Sequence, residues 1–320
     1  MSDPFAIAQD GRALSPAALK RVLPDLRLQL YELAKQAHQQ RLPIIVVFEG
    51  WDGSGKNRTI RELSRCLDPR GFHVRETHPP KAHEIQKPWL WRFWMQIPRR
   101  GQIAIFDRSW YGRVLVERVA GITPIPDWIR AYEEINAFER TLADDGTIFV
   151  KLWLHIDRDE QLRRFIRWSR DPASAWQIAA EDWDHHREYD SYLAAARDVM
   201  TTTDQPAAPW RVLAANDEAY TTYAVFRAII ERLEQALGCE PSAWPDPAQL
   251  EADVKRTTRS GRRGKRKSKR LHASGNETAA EADGWQGSRD TGEGANDTTE
   301  PVLEPATGAR VEPSDNASKG

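Results

Sequence analysis

Residues 44–56 read Ile-Ile-Val-Val-Phe-Glu-Gly-Trp-Asp-Gly-Ser-Gly-Lys, an apolar run followed by a glycine-rich loop and a lysine. The apolar run is typical of a buried parallel strand. Glycines let backbone N–H groups approach phosphate oxygens, and the lysine adds a cation. Because residues 59–63 begin a helical pattern, the order strand, loop and helix predicts a phosphate-binding loop. Its predicted phosphate-binding residues are Gly50, Gly53, Ser54, Gly55 and Lys56.

One residue of this segment is unusual for such a loop. Asn57 follows the lysine, where phosphate-binding loops usually place a Ser or Thr that binds Mg²⁺. A tight strand-to-helix turn without a ligand would require the same glycines. The strand pattern before the loop and the helix pattern after it favour phosphate binding.

Strand and helix patterns alternate along the chain. Apolar runs predict five strands, at 44–48, 72–77, 102–107, 147–156 and 210–214. Helical patterns are found at about 15–40, 59–67, 83–97, 110–120, 127–144, 157–200 and 217–237. This alternation predicts an α/β fold, in which helices cover both faces of a five-stranded parallel sheet and form a three-layer sandwich.

Composition excludes several other classes of protein. No run of about 18 apolar residues is present, so we expect no membrane span. The N-terminus lacks a secretory signal pattern, and the two cysteines, Cys66 and Cys239, lack the spacing of metal ligands. A reduced, cytoplasmic protein is the simplest interpretation.

The C-terminal part of the chain separates its charges. Residues 255–270 contain ten Lys or Arg and no acid, whereas residues 271–320 contain ten Asp or Glu and three Lys or Arg. From about residue 241 onward, Pro, Gly, Ser, Thr and charged residues dominate. Such a composition buries too little apolar surface to fold alone. We therefore predict a folded domain over residues 1–240 and a disordered tail over residues 241–320. The basic block could contact nucleic acid, although a solubilising tail is the interpretation that we favour.

A carboxylate ends the third predicted strand. Asp107 follows four apolar residues, at the end of the strand where phosphate-loop folds hold Mg²⁺. Asp52 lies within the loop and is a second hard oxygen ligand, which could replace the missing hydroxyl. Asp107 could also cap the next helix, and the two roles are compatible. We predict that Asp52 and Asp107 bind the metal ion.

Arginines follow this strand and recur in the long helical segment. Arg108 and Arg113 are placed to reach a phosphate, and Arg118 is either a third such cation or the partner of an acid. In the segment 157–170, one helical face carries Arg163, Arg167 and Arg170. A row of like charges indicates a nearby anion. The alternative pairs Asp159 with Arg163 and Glu160 with Arg164, which leaves Arg167 and Arg170 without partners.

Several blocks in register resemble the polyphosphate kinase 2 family. They are EGWDGSGK at 49–56, LWRFW at 90–94, FDRSWYGRVLVER at 106–118, WLHI at 153–156 and EQLRRF at 160–165. Asp171-Pro172, Trp176, Glu181-Asp182 and Ala215-Asn216-Asp217 continue the match, which covers about residues 15–238. The sequence DRSWYGR at 107–113 is most similar to that of the branch that phosphorylates AMP.

The resemblance implies a P-loop (Walker A) kinase fold with a helical lid at about 157–200. It implies Mg²⁺-dependent phosphoryl transfer between inorganic polyphosphate and a nucleotide, with AMP or ADP as the partner. By the same resemblance, Asp52 and Asp107 hold magnesium and Lys56 contacts the transferred group. Arg108, Arg113 and Arg118 neutralise its charge, and the lid arginines cover the polyphosphate channel.

The sequence departs from the family pattern in three ways. Asn57-Arg58 stands where the family usually has Gly-Gly, which puts rate or donor preference in question. Glu218 stands where the family usually has Lys, and Thr221-Thr222 where it has Ala-Arg, which puts the acceptor or subunit contacts in question. The AMP-using branch often fuses two kinase domains, and this chain has one.

Two other functions stay open at this point. The same fold could serve an ATP-dependent nucleotide kinase, for which polyphosphate would not be the donor. Asn57-Arg58 could also leave a catalytically weak protein that binds polyphosphate. Assembly into a homo-oligomer stays open as well.

Overall fold

Five strands form one parallel sheet in a computed structural model of the chain, which describes residues 3–9 and 11–257. The strands are β1 (Ile44–Gly50), β2 (Phe72–Glu76), β3 (Ile103–Asp107), β4 (Ile148–His155) and β5 (Trp210–Ala214). Their order in the sheet is β2-β3-β1-β4-β5, and every neighbouring pair is parallel. The five predicted strands and the α/β fold class are confirmed.

The register of the sheet places the predicted site residues at one edge. Phe48 of β1 is paired with Asp107 of β3, and Gly50 is paired with Leu154 of β4. Every residue of β4 is buried, and β1 is buried up to Gly50, because helices cover both faces of the central strands. The segments that follow β1, β3 and β4 therefore meet at the carboxyl edge of the sheet, where open α/β folds bind their ligands.

Helices form the two outer layers. One layer contains α1 (Pro16–Gln39), α2 (Lys56–Ser64) and α10 (Glu218–Leu237), which pack on one another. The other contains α5 (Val116–Val119), α6 (Ile125–Asp144) and α9 (Tyr189–Thr203). Capping fixes the helix starts: the Ser15 side chain accepts from Ala18 N at 3.2 Å, and Asp217 accepts from Tyr220 N at 2.7 Å. Within the described residues, no helix has the length and apolar character that crossing a membrane requires.

The helix predicted at 83–97 is wrong in its extent. The structure has two short helices there, α3 (Ala82–Ile85) and α4 (Trp91–Trp94). Pro88 lies between them, and proline has no N–H for a helical hydrogen bond and disfavours helical geometry in the residue before it. The pattern at 110–120 likewise forms a 3-10 helix, Trp110–Arg113, followed by α5.

The predicted lid is a helical excursion between β4 and β5. It contains α7 (Arg158–Arg170), a 3-10 helix (Ala175–Gln177), α8 (Ala180–Arg187) and α9. We refer to residues 158–203 as the lid segment. The predicted break at Asp171-Pro172 is present, and a second break occurs at Glu188, between α8 and α9.

The predicted domain boundary at residue 240 is too early. A further helix, α11, spans residues 247–257, and its Leu250 is buried in the core. The chain before it also packs on the domain, because Tyr223 donates its hydroxyl to Pro245 O and Glu251 accepts from Ser15 N. Composition did not indicate this segment because one buried leucine and a few hydrogen bonds suffice to hold it. Residues 258–320, with the acidic block and most of the basic block, lie outside the described residues.

We predict that α11 stabilises the domain. A chain that ends at residue 240 loses the burial of Leu250, about 2 kcal/mol, together with the hydrogen bond from Ser15 N to Glu251 at the start of α1. Its thermal midpoint is expected to lie roughly 4–8 °C below that of a chain that ends at residue 257. Equal midpoints in differential scanning calorimetry would place the domain boundary at 240 after all.

Candidate functional site

The loop between β1 and α2 requires glycine for its shape. Gly50 has φ +125°, and a Cβ there would lie 2.3 Å from Leu154 O on β4. Gly53 has φ +80°, and its Cβ would lie 3.0 Å from the Phe165 ring of α7. Gly55, at φ +96°, immediately precedes α2. The loop is thus pressed between β4 and the lid segment, with its backbone in conformations that side chains disfavour.

Two polar side chains of the loop are suited to an anion. The Lys56 ammonium donates to Gly50 O at 2.8 Å and to Trp51 O at 3.0 Å, so that it curls over the loop. Ser54 is buried, and its Oγ has no hydrogen-bond partner among the described residues. A buried hydroxyl without a partner is costly, and a phosphate oxygen would satisfy it. This supports the predicted phosphate loop.

Asp52 connects the loop to two other elements. Arg108 Nη2 donates to Asp52 Oδ1, and His185 Nδ1 of α8 lies 2.7 Å from Asp52 Oδ2. Lys56 Nζ is 3.8 Å from the same carboxylate. Burial by itself would raise the pKa of Asp52, but the His185 hydrogen bond and the charges of Arg108 and Lys56 hold that pKa far below its usual value. Asp52 is therefore ionised throughout the physiological range.

The acidic residues at this corner fit a divalent cation. Ligand atoms of Asp52, Asp182 and His185 lie within 4.8 Å of one another. Asp107 is outside this group, but within the described part of the chain its carboxylate accepts no hydrogen bond. Its pKa is raised, chiefly by burial and to a lesser extent by the charges of Glu76 and Asp52. A partly buried carboxylate without a donor, beside a second carboxylate, is an arrangement that a cation stabilises.

The backbone of Arg108 is strained. Its φ is +58°, which is uncommon for a residue with a side chain. Two hydrogen bonds hold it there: Arg108 N donates to Phe48 O at 3.0 Å, and Thr77 Oγ1 donates to Arg108 O at 2.8 Å. The guanidinium is thereby aimed at Asp52 and the loop. Strain of this kind is concentrated at functional sites.

Buried charges fix the segment that carries Arg108 and Arg113. Glu139 of α6 accepts from Trp110 Nε1 at 3.0 Å, from Tyr111 Oη at 2.7 Å and from Lys151 Nζ at 2.7 Å. Glu139 and Lys151 have no exposed side-chain surface. Ser109, which precedes Trp110, donates its hydroxyl to buried Glu49 at 2.8 Å. Burial raises the pKa of Glu49 to about 7. The residues between the two arginines therefore have little freedom to move.

A cavity of about 710 Å³ opens beside the loop, with Arg108 and His185 in its wall. Arg113 also lines it, donates to Glu117 at 2.8 Å and lies over the Trp89 ring at 5.4 Å. The structure thus brings Arg108 and Arg113 to one cavity next to the predicted phosphate loop.

The contacts of Arg118 lie elsewhere. It pairs with Asp198 of α9 at 2.8 Å, donates to Tyr132 Oη at 2.9 Å and lies over the Trp128 ring at 4.3 Å. These contacts join α5, α6 and α9. They support the second interpretation of Arg118, as the partner of an acid.

The three arginines predicted for the lid have different surroundings. Arg163 pairs with Glu160 at 3.0 Å, and Arg167 pairs with Glu218 at 3.0 Å. Arg170 makes no ion pair with a described residue. The prediction that Arg167 lacks a partner is therefore wrong, because Glu218 is distant in sequence and only the fold brings it close.

Sequence reasoning missed the arginine that most constrains the lid segment. Arg164 is buried and donates to Gly53 O at 2.8 Å, to Ala215 O at 2.7 Å and to Asn216 O at 2.8 Å. Its predicted pair with Glu160 is confirmed at 2.7 Å. Phe165 could have revealed the role, because the apolar residue marks the buried face of α7 and Arg164 lies on that face.

Gln161 and His185 were missed for a similar reason. Gln161 Nε2 donates to Asp52 O at 3.0 Å, and its Oε1 lies 2.8 Å from His186 Nδ1, while His185 contacts the Asp52 carboxylate. These contacts join elements that are more than twenty residues apart in sequence. No local pattern indicates them.

The chain is similar in sequence and fold to known proteins. The polyphosphate:AMP phosphotransferase of Pseudomonas aeruginosa is 40% identical over 226 residues, which are 71% of this chain and 46% of that protein. The AMP/ADP-polyphosphate phosphotransferase of Meiothermus ruber is 36% identical over 218 residues, 68% of this chain and 79% of that protein. The solved structure of polyphosphate kinase 2 from Arthrobacter aurescens aligns with a TM-score of 0.68 at 28% identity, covering 79% of this chain and 91% of that one.

The chain spans less than half the length of three relatives named polyphosphate:AMP phosphotransferase, at 46%, 39% and 40% of their lengths. Phosphoryl-transfer kinases of the polyphosphate kinase 2 family generally use a divalent metal, which the carboxylates at the loop fit. The model of the family Polyphosphate kinase 2 (PPK2) matches residues 13–239, and the chain therefore belongs to this family, as its sequence blocks predict.

Proposed function

We propose that this chain transfers phosphoryl groups between inorganic polyphosphate and a nucleotide, with AMP as the preferred acceptor and ADP as the product. The observation that carries the proposal is the common wall, formed by Arg108 and His185, between the phosphate loop and the 710 Å³ cavity. A donor phosphate on the loop and an acceptor phosphate in the cavity would face each other across this wall. The relatives named polyphosphate:AMP phosphotransferase support AMP as the acceptor.

The loop side suits the donor. Lys56 supplies a positive charge, Ser54 supplies a hydroxyl, and the amino end of α2 presents its N–H groups to an anion. In phosphoryl transfer the protein chiefly orients the reacting groups and neutralises charge, and these groups do both without moving far.

The cavity side suits a nucleoside monophosphate. Arg92 and Arg113 each have a buried Nε without a partner among the described residues, so both keep a donor for a phosphate oxygen. Trp89 offers an aromatic face for a base, and its indole N–H is held by Glu134 at 2.6 Å. A volume of about 710 Å³ lies within the range of small-molecule sites.

Mg²⁺ is the metal that we propose, held by Asp52 and Asp107. When bound, such an ion neutralises charge on the phosphates. Asp182 and His185 of the lid segment lie next to the same site. Arg108 hydrogen-bonds Asp52, and its strained backbone keeps its guanidinium between loop and cavity.

The two alternative functions make different predictions. An ATP-dependent nucleotide kinase would not accept polyphosphate as donor. A catalytically weak binding protein would require Asn57-Arg58 to impair turnover; of these two residues, Arg58 turns its side chain to Glu218, which favours an open loop. Incubation of AMP, Mg²⁺ and polyphosphate, with ADP as the product measured, separates the proposed function from both alternatives. A cytoplasmic location stays a prediction of the sequence, whereas a homo-oligomer and the disfavoured nucleic-acid contact of the basic block stay open.

The acceptor preference is testable by kinetics. We expect kcat/KM for AMP to exceed that for ADP by tenfold or more, about 1.4 kcal/mol of transition-state discrimination. Both nucleotides should be measured with the same polyphosphate and saturating Mg²⁺. A preference for ADP of the same size would overturn the AMP assignment and leave polyphosphate as the donor.

The role of Asp107 is testable by an isosteric substitution. Asp107→Asn removes a charge beside the phosphates and is expected to lower kcat by roughly 10² at saturating Mg²⁺. Asp145→Asn is the matched control, because Asp145 is an exposed partner of Arg100 at the opposite end of the sheet. Near-native turnover of Asp107→Asn would show that the site does not need this carboxylate.

A further inference from the structure

One carboxylate holds two arginines beside the phosphate loop. Glu218, the first residue of α10, pairs through one oxygen with Arg58 of α2 and through the other with Arg167 of the lid segment at 3.0 Å. We call these three residues the Glu218 cluster. It joins three elements that are far apart in sequence.

The position of the cluster relates it to the donor side. Arg58 lies in the first turn of α2, two residues after Lys56. Arg167 lies on the outer face of α7, whose inner face contacts Gly53 through Phe165. No residue of the Glu218 cluster lines the acceptor cavity in the described part of the chain.

The sequence differences at positions 58 and 218 become one feature in the structure. The resemblance to the family leads us to expect glycine and lysine at these positions; this chain has arginine and glutamate, and the two side chains are paired. Relative to that expected pattern, α2 gains a cation at position 58 and α10 loses one at position 218. The chain thus keeps positive charge near the loop but adds an acid of its own that competes for it.

The exposure of the Arg58–Glu218 and Arg167–Glu218 ion pairs indicates that a phosphate can replace the Glu218 carboxylate in them. The side chains are 44% exposed for Arg58, 59% for Arg167 and 42% for Glu218. Ion pairs with this exposure contribute little to stability, because water and salt screen them. Guanidinium groups bind phosphate bidentately, and a polyphosphate chain offers many oxygens along its length.

We propose that Glu218 is a built-in competitor for the donor: it occupies Arg58 and Arg167 until the phosphates of a polyphosphate chain replace its carboxylate. This rests on the proposed function, because it takes polyphosphate as the donor. Arg58 then becomes a donor-binding residue, and Glu218 sets a lower donor affinity than the arginines alone would give. The acceptor is unaffected, because the cluster lies outside its cavity.

The test is direct binding of inorganic polyphosphate to the full-length chain, without turnover, at two salt concentrations. Glu218→Gln is expected to lower the Kd for polyphosphate about fivefold. Its affinity should fall more steeply with salt than that of the wild type, because the cluster gains one net positive charge. Arg58→Gln should raise the same Kd several-fold and leave the KM for AMP unchanged.

A matched control is available on the same helix. Glu231 of α10 pairs with Arg227 and is 38% exposed, close to the exposure of Glu218. Glu231→Gln removes the same charge by the same substitution and should leave polyphosphate binding unchanged. An equal gain in both variants would indicate only a change in overall charge and would overturn the proposal.

Three other results would overturn the competitor role of Glu218. Weaker polyphosphate binding by Glu218→Gln would mean that Glu218 organises the arginines for the donor, and the competitor role would be wrong. A wild-type chain that binds polyphosphate and converts AMP to ADP, with an unchanged Kd in Glu218→Gln, refutes this inference alone. A wild-type chain that neither binds polyphosphate nor uses it refutes the proposed function and this inference together.

Discussion

The buried guanidinium of Arg164 holds together three parts of the site. It donates to Gly53 O in the phosphate loop, to Ala215 O and Asn216 O after β5, and to Glu160 on its own helix. Removing a charge from water costs several kcal/mol unless hydrogen bonds and an opposite charge compensate. Here the guanidinium donates four hydrogen bonds to a compact set of acceptors, which holds α7 over the loop.

The position of α7 decides much of what surrounds the proposed donor side. With Arg164 and Phe165 turned inward, the helical period turns Arg163, Arg167 and Arg170 outward. The bond to Asn216 O fixes the chain just before α10, which brings Glu218 within reach of Arg167 and Arg58. The Glu218 cluster is therefore a consequence of the buried contact beneath it.

A second buried charge organises the wall of the proposed acceptor cavity. The Glu139–Lys151 pair holds Trp110 and Tyr111, and thereby the arginines on either side of them. Breaking a buried pair of this kind typically costs 3–5 kcal/mol, whereas an exposed pair contributes about 0–1 kcal/mol. The protein thus uses buried ion pairs to fix geometry and half-exposed ones, at Arg58 and Arg167, where an incoming anion can replace a partner.

The sequence by itself determined the strands, the glycine-rich loop after β1, Asp107 at a strand end and the family, because each depends on residues that are adjacent or regularly spaced. Local pattern also predicted the Glu160–Arg164 pair, which spans one helical turn. Only the tertiary structure decided which arginines face the site. Arg118 is held by Asp198, Arg164 is held beneath the loop, and Arg167 finds Glu218, in each case through contacts between distant segments. Periodicity gives the face on which a side chain lies, but the packing of helices and loops determines what that face meets.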